Sequence, residues 1–159
     1  MSGSLIKIDE EIVTSAVASV TLTGIDSTSG CQNTDTVLVT VNPIPVVVVP
    51  LDQVVCNNSQ TADALFSSFT AGTTFTWENN NTAIGLPSAG NGDILSFTAI
   101  NTTNSPIVAT IAVIPSFENG GVSCDGDTVS FTLTVNPTLI VVVDSSASYC
   151  QYSGSVLPL

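Results

Sequence analysis

Four cysteines and two closely spaced aspartates are the residues of this 159-residue chain whose types could do chemistry. The cysteines are Cys31, Cys56, Cys124 and Cys150, and they lie far apart in the sequence. A structural zinc site needs closely spaced cysteine or histidine ligands, and this chain contains no histidine. The cysteines therefore predict cross-links and no zinc centre.

The missing residue types also argue against catalysis. Without histidine, no Ser-His or Cys-His nucleophile pair can form, and Lys7 is the only basic residue. Paired carboxylates for acid-base chemistry remain possible in principle, although most acidic residues lie singly in predicted turns and loops. The segment "GNGD" (90–93) lacks the strand, glycine loop and helix of a dinucleotide site. We expect a protein that is not an enzyme.

Calcium is the one cofactor for which the sequence offers candidate ligands. Asp125 and Asp127 lie two apart, and Asp93 and Glu118 could approach from other loops. Calcium takes about six to eight oxygen ligands, usually with several carboxylates. The alternative is an Asx-type turn at the start of the next strand. We therefore expect no bound cofactor, with Asp125 and Asp127 kept as the calcium candidates.

The charge balance excludes whole classes of partner. One basic residue stands against 13 acidic ones, which gives a net charge of −12. Nucleic-acid binding requires clustered Lys or Arg, and so does attraction to anionic lipid headgroups. The longest apolar runs, 43–51 and 139–144, are far shorter than the ~20 residues of a membrane-spanning helix. We expect neither nucleic-acid partners nor direct membrane insertion.

The hydrophobic pattern predicts strands throughout. Residues 128–135 alternate cleanly, with Phe131 and Leu133 among the inward positions, and residues 74–78 place Phe75 and Trp77 inward. Residues 107–114 are apolar on both faces, as in a central strand. Further strands are predicted at 46–49, 64–70 and 94–100, the last with Leu95, Phe97 and Ala99 on one face. The predicted fold is an all-β antiparallel two-sheet sandwich of immunoglobulin-like size.

An internal repeat divides the chain. Cys31 and Cys124 are 93 positions apart, the two Val-Asn-Pro segments at 41–43 and 135–137 are 94 apart, and Cys56 and Cys150 are also 94 apart. We therefore expect one complete unit at 44–137, the C-terminal part of a preceding unit at 1–43, and the first strands of a following unit at 138–159. The prolines predict short, stiff joins between units.

The repeat also organises the candidate modification sites. If the chain is exported, the simplest disulfide joins Cys56 to Cys124 within the complete unit. Cys31 and Cys150 then pair with cysteines of neighbouring units or between chains. Thr36 and Thr128 recur at equivalent places in Asp-Thr-Val segments, and they resemble the O-glycan acceptor of exported Bacteroidota proteins. The alternative for both threonines is a polar start to a strand.

The complete unit carries a series of short motifs in a fixed order, namely Trp77, Ile84-Gly85-Leu86, Gly90–Gly92, Ser96–Ala99, Ala109–Val113, Cys124 and Val135–Pro137. In this combination the unit resembles the PKD-like repeat of giant Bacteroidota surface proteins. The resemblance implies an immunoglobulin-like sandwich in a long secreted protein, exported by type IX secretion and displayed on the cell surface. Proteins of this kind include gliding-motility adhesins and surface filaments. The family carries no catalytic residues.

The sequence thus favours a structural and adhesive module, a stalk or spacer whose partners are neighbouring repeats and surface glycans. One alternative is a carbohydrate-binding module that uses Trp77 and the loop at 79–92 as its platform. Another is a self-assembling extracellular filament, in which partial units at the two ends complete one another between chains. Burial of Trp77 in the core would remove the first alternative.

Overall fold

A computed structural model describes residues 14–139 as almost entirely β-structure. In this range the structure has a single 3₁₀ turn at Thr82–Ile84 and no α-helix, so it contains no helix that could cross a membrane. The strands, in chain order, are β1 (Ala16–Ile25), β2 (Gln32–Val41), β3 (Gln53–Cys56), β4 (Thr74–Asn79), β5 (Ala89–Asn91), β6 (Ile107–Asn119), β7 (Val122–Asp125) and β8 (Val129–Asn136).

The strands form two separate sheets. Strands β1 and β2 make an antiparallel hairpin of their own, in which Ala16 pairs with Val41 and Ile25 with Gln32. The other sheet has six strands in the order β3-β8-β6-β4-β5, with β7 paired to the end of β6. Among these strands only β3 and β8 run parallel. The long strand β6 lies at the centre of this order. Its residues Ala109, Ile111, Val113 and Pro115 are buried on one face, whereas Val108 on the other face is 50% exposed, so the prediction of two apolar, buried faces holds for one face only.

A second layer covers the six-stranded sheet. It consists of three extended segments that touch through single antiparallel pairs, Val48 with Ser67, Ala64 with Ile94, and Gln60 with Thr98. Phe66 of this layer packs against Phe75 and Phe131 of the sheet, with ring centroids 5.9 Å and 6.3 Å apart. One hydrophobic core lies between the layers. The fold is therefore all-β and predominantly antiparallel, with a layering consistent with a β-sandwich.

The strands with the clearest alternation are confirmed. Strand β8 buries Phe131, Leu133 and Val135, and Trp77 of β4 is only 7% exposed. The prediction for 94–100 is wrong at Leu95, which is 70% exposed while Ile94 is buried. The alternation breaks here because Ile94 pairs with Ala64, and the Ser96 amide then donates to the Asp63 carboxylate instead of continuing a ladder.

Candidate functional site at the joint

Three side chains connect the β1–β2 hairpin to the six-stranded sheet. The Asn42 amide donates to the carbonyl oxygen of Asn119 at 3.0 Å, and the Asn119 amide donates to Asn42 Oδ1 at 2.9 Å. Ser15 joins both, since its hydroxyl donates to Asn42 Oδ1 at 3.0 Å and accepts from Asn119 at 3.1 Å. This network lies where one sheet ends and the next begins, and we call it the joint.

The two prolines directly after the joint are deeply buried. Pro43 and Pro45 are among the most deeply buried side chains of the described residues, each less than 2% exposed. The backbone of Pro45 lies very close to Gly126. A methyl group added to Gly126 would overlap the Pro45 carbonyl oxygen and would lie 2.9 Å from Pro115 Cγ. Fixed φ angles and burial together make this connection stiff.

The hairpin repeats the pairing of strands β6 and β8. In the hairpin, Ala18 pairs with Val39, two residues before the valine of Val-Asn-Pro. In the six-stranded sheet, Ala109 pairs with Leu133, which lies two residues before the valine of the second Val-Asn-Pro segment. From these pairs onward, both ladders continue in the same register. Each core-facing pair of the hairpin therefore has a counterpart in the β6–β8 ladder.

The inward face of the hairpin is uncovered within the described residues, although its counterpart is core. Val37 is 57% exposed and Leu22 is 74% exposed. By register, Phe131 and Val113 are their counterparts, and both are buried. Over strands β6 and β8 the second layer provides this cover, with Phe66 packed against Phe131.

The structure contradicts the predicted disulfide between Cys56 and Cys124. Both cysteines are free, and Cys31 is also free. Cys56 pairs with Asn136 beside the Ile107 end of β6, whereas Cys124 pairs with Phe117 near its other end. Ten residues of strand separate these positions, or about 33 Å. A disulfide requires Cα atoms within about 7 Å, so Cys56 and Cys124 cannot pair with each other in this fold.

The other two cysteines are placed differently. Cys31 follows the turn between β1 and β2, is exposed, and lies at the end of the hairpin away from the joint. Cys150 lies outside the described residues. Cys31 has no cysteine partner within residues 14–139. Pairing with neighbouring units or other chains stays a prediction for Cys31 and Cys150.

Trp77 is part of the core and not a carbohydrate platform. Its ring lies directly on Gly90, where a methyl group would overlap the indole. The indole Nε1 is buried and makes no hydrogen bond within residues 14–139. Sugar stacking needs an accessible aromatic face, so the predicted binding site built on Trp77 and the 79–92 loop is wrong. Gly90 is required because the indole occupies the space of its side chain.

Buried asparagines hold the loops, and the sequence did not single them out. The Asn79 amide donates to the carbonyl oxygens of Asn81, Leu86 and Pro87. Asn101, 2% exposed, donates to Val135 at 2.7 Å and to Ser105 at 2.9 Å. In a chain this rich in asparagine, composition could not show which ones are buried. The joint residues Ser15, Asn42 and Asn119 were missed for the same reason.

The calcium candidates do not come together. Asp125 lies on β7 opposite Ser116, and Asp127 lies in the connection to β8. Asp93 is engaged elsewhere, since its carboxylate accepts the Phe66 amide at 2.7 Å. Within residues 14–139 no three Cys, Asp or Glu side chains group as metal ligands. The structure therefore does not assemble the Asp93, Glu118, Asp125 and Asp127 set.

The two candidate glycan acceptors are accessible. Thr36 lies exposed on β2 with its hydroxyl 3.2 Å from that of Thr21, and Thr128 lies exposed just before β8. Their modification stays a prediction. No family model matches the chain, and no curated protein matches it in sequence.

Proposed function

We propose that this protein is a non-catalytic stalk module of a long secreted cell-surface protein, built from tandem immunoglobulin-like β-sandwich units. Residues 44–137 form one unit, and the β1–β2 hairpin belongs to the unit before it. The stalk spaces an adhesive or motility function away from the cell. The resemblance to PKD-like repeats adds the expectation of type IX export in Bacteroidota.

The shared register of the β1–β2 and β6–β8 ladders carries this proposal. A two-stranded hairpin is marginally stable on its own in water. The β1–β2 hairpin nevertheless presents an apolar face that, in the complete unit, is core. The same pattern, placed next to an identical Val-Asn-Pro segment, is what a preceding unit of the same kind supplies.

The joint supports an extended and stiff arrangement. Buried Pro43 and Pro45 restrict the connection, and Asn42 binds Asn119 across it. The net charge of −12 makes successive units repel one another, which opposes folding back. These features suit a rod, because they fix each unit relative to its neighbour without a large shared core.

Adding a unit tests this proposal. A second copy of residues 44–137, inserted after residue 137, should lengthen the particle by about 40 Å, the length of the 13-residue strand β6. Small-angle scattering measures the maximum dimension. A flexible Gly-Ser linker inserted directly after Pro137, which leaves Val135 and Asn136 of β8 in place, is the control and should give a broader, shorter distribution. A compact particle with the native join would contradict the rod.

The exposed hairpin face favours assembly between chains as a second candidate. Leu22 and Val37 lie on an apolar face that strands of another copy could cover. Sedimentation velocity should then show concentration-dependent assembly, and Val37→Lys should abolish it. The matched control is Leu38→Lys on the opposite face, which should leave assembly intact. A monomer at all concentrations would remove this candidate.

A further inference from the structure

Cys124 lies at the end of the unit where the chain enters it, and Cys56 lies at the end where the chain leaves it. Cys124 is two residues from Gly126, against which the chain packs at Pro45 as it enters the unit. Cys56 lies at the exit, where the Asn57 amide donates to the Asn136 carbonyl at 2.8 Å and its side chain donates to Thr138. Each unit therefore presents one cysteine to each of its joints.

The described joint brings neighbours of these two positions into contact across a junction. Asn42 corresponds to Asn136, since the two Val-Asn-Pro segments are 94 positions apart. Cys56 pairs with Asn136, so in a preceding unit of the same fold its counterpart would lie about one strand spacing, ~5 Å, from Asn42. Asn42 in turn contacts Asn119 of the following unit.

Cys124 lies on the side of the joint where Asn42 binds. Strand β7 pairs Cys124 with Phe117 and Val122 with Asn119. Side chains two apart on a strand share a face, so Cys124 and Phe117 are on the face of the β6–β7 ribbon that carries Asn119. The cysteine beside Asn42 and the cysteine beside Phe117 are thus directed to the same joint.

We propose that successive units are linked by a disulfide across each joint, between the Cys56 position of one unit and the Cys124 position of the next. This inference rests on the proposed tandem function. It gives all four cysteines equivalent roles, because Cys31 occupies the Cys124 position of the preceding unit and Cys150 the Cys56 position of the following one. Each joint then has a covalent link besides the peptide chain.

The oxidant is a disulfide donor, either a thiol-disulfide oxidoreductase or glutathione disulfide. One cysteine loses its proton, and its thiolate attacks the donor's disulfide, forming a mixed disulfide and releasing one donor sulfur as a thiolate. The second cysteine, also as a thiolate, attacks the protein sulfur of the mixed disulfide and displaces the remaining donor thiolate. Two protein thiols are oxidised by two electrons while the donor disulfide is reduced to two thiols, and the two protons pass to these thiols.

The experiment uses the full chain with a second copy of residues 44–137 inserted after residue 137. The joint variant keeps only Cys56 of the first unit and Cys124 of the second, with serine at the other cysteine positions. The control variant keeps Cys56 and Cys124 of the first unit. Both are treated with glutathione disulfide at low protein concentration, and thiol titration and non-reducing peptide mapping follow the monomer.

We expect the joint variant to lose both thiols to one intramolecular disulfide, at least ten times faster than the control. Thiols that persist in the joint variant, or equal rates in the two variants, would overturn the proposal. Small-angle scattering and near-ultraviolet circular dichroism of the reduced proteins separate the two levels of inference. If the units are folded and extended but the disulfide does not form, the proposed stalk function is retained and the proposed disulfide is contradicted. If the units fail to fold or to form an extended particle, both proposals are contradicted.

Discussion

Asn42 and Asn119 bind each other twice across the joint, although 77 positions separate them in the sequence. Asn42 Nδ2 donates to the backbone of Asn119, and Asn119 Nδ2 donates back to Asn42 Oδ1. Loss of the Asn119 side chain would remove only the second hydrogen bond, whereas loss of the Asn42 side chain would remove both. Asn42 is therefore the more important of the two for the contact between the hairpin and the six-stranded sheet.

Asn42→Ala should uncouple the hairpin from the complete unit while leaving the unit folded. The substitution removes three side-chain hydrogen bonds, each contributing about 0.5–1.5 kcal/mol net, from a joint without a large core. Nitrogen-15 relaxation should give the two parts different rotational correlation times. Asn33→Ala, at the far end of the hairpin, is the control and should leave the correlation times unchanged; equal effects of both substitutions would argue against the joint.

Gly126→Ala should destabilise the unit by about 1–3 kcal/mol, since a methyl group there overlaps the carbonyl oxygen of Pro45 and the backbone must shift. Urea unfolding followed by Trp77 fluorescence measures the free energy of unfolding. Gly24→Ala is the matched control, because its methyl group would meet only the Asn33 carbonyl, at 3.9 Å. A loss no larger than that of the control would show that Pro45 does not pack as described.

Gly90→Ala should displace the indole of Trp77 and cost about 1–3 kcal/mol of unfolding free energy. The Trp77 emission maximum should shift to longer wavelength as the ring becomes more accessible to water. Ala89→Ser changes the exposed neighbour on β5 and should alter neither quantity. An unchanged spectrum in the Gly90 variant would contradict the contact between Gly90 and the indole.

Asn101→Ala should cost about 1–3 kcal/mol, because it leaves the buried carbonyl oxygen of Val135 without its donor. Denaturant unfolding of the whole chain measures the change. Asn104→Ala, in the same loop but exposed, should stay within about 0.5 kcal/mol of the parent protein. Equal losses for the two variants would show that burial of Asn101 does not set the effect.

The pKa of Asp26 should lie below its ordinary value of 3.8, because the carboxylate accepts the Thr28 amide, the Ser29 hydroxyl and the Ser29 amide. Because these hydrogen bonds favour the ionised carboxylate, they stabilise the β1–β2 turn fully at pH values above the ordinary pKa. That contribution is lost as the pH falls through the folded pKa. The pH dependence of the Thr28 amide shift measures the midpoint, which Ser29→Ala should raise toward 3.8; a midpoint at or above 3.8 in the parent chain would contradict the prediction.

The sequence alone determined the strands whose inward residues alternate without interruption. Phe75, Trp77 and Phe131 were placed correctly because a period of two leaves only one face for the core. It also showed the 94-residue spacing of Val-Asn-Pro, since repetition can be read without coordinates. The prediction failed at Leu95, where an aspartate takes over the hydrogen bond of a strand amide and the alternation is lost.

Only the tertiary structure decided which distant residues meet. The cysteine spacing allowed a Cys56–Cys124 disulfide, but the parallel pairing of β3 with β8 carries Cys56 to the end of the sheet away from Cys124. The sequence likewise could not distinguish the buried Asn79 and Asn101 from their exposed neighbours. Alternation along a strand is a local property of the backbone. The direction in which strands pair, and therefore which side chains share an end of the sheet, depends on contacts between residues far apart in the chain.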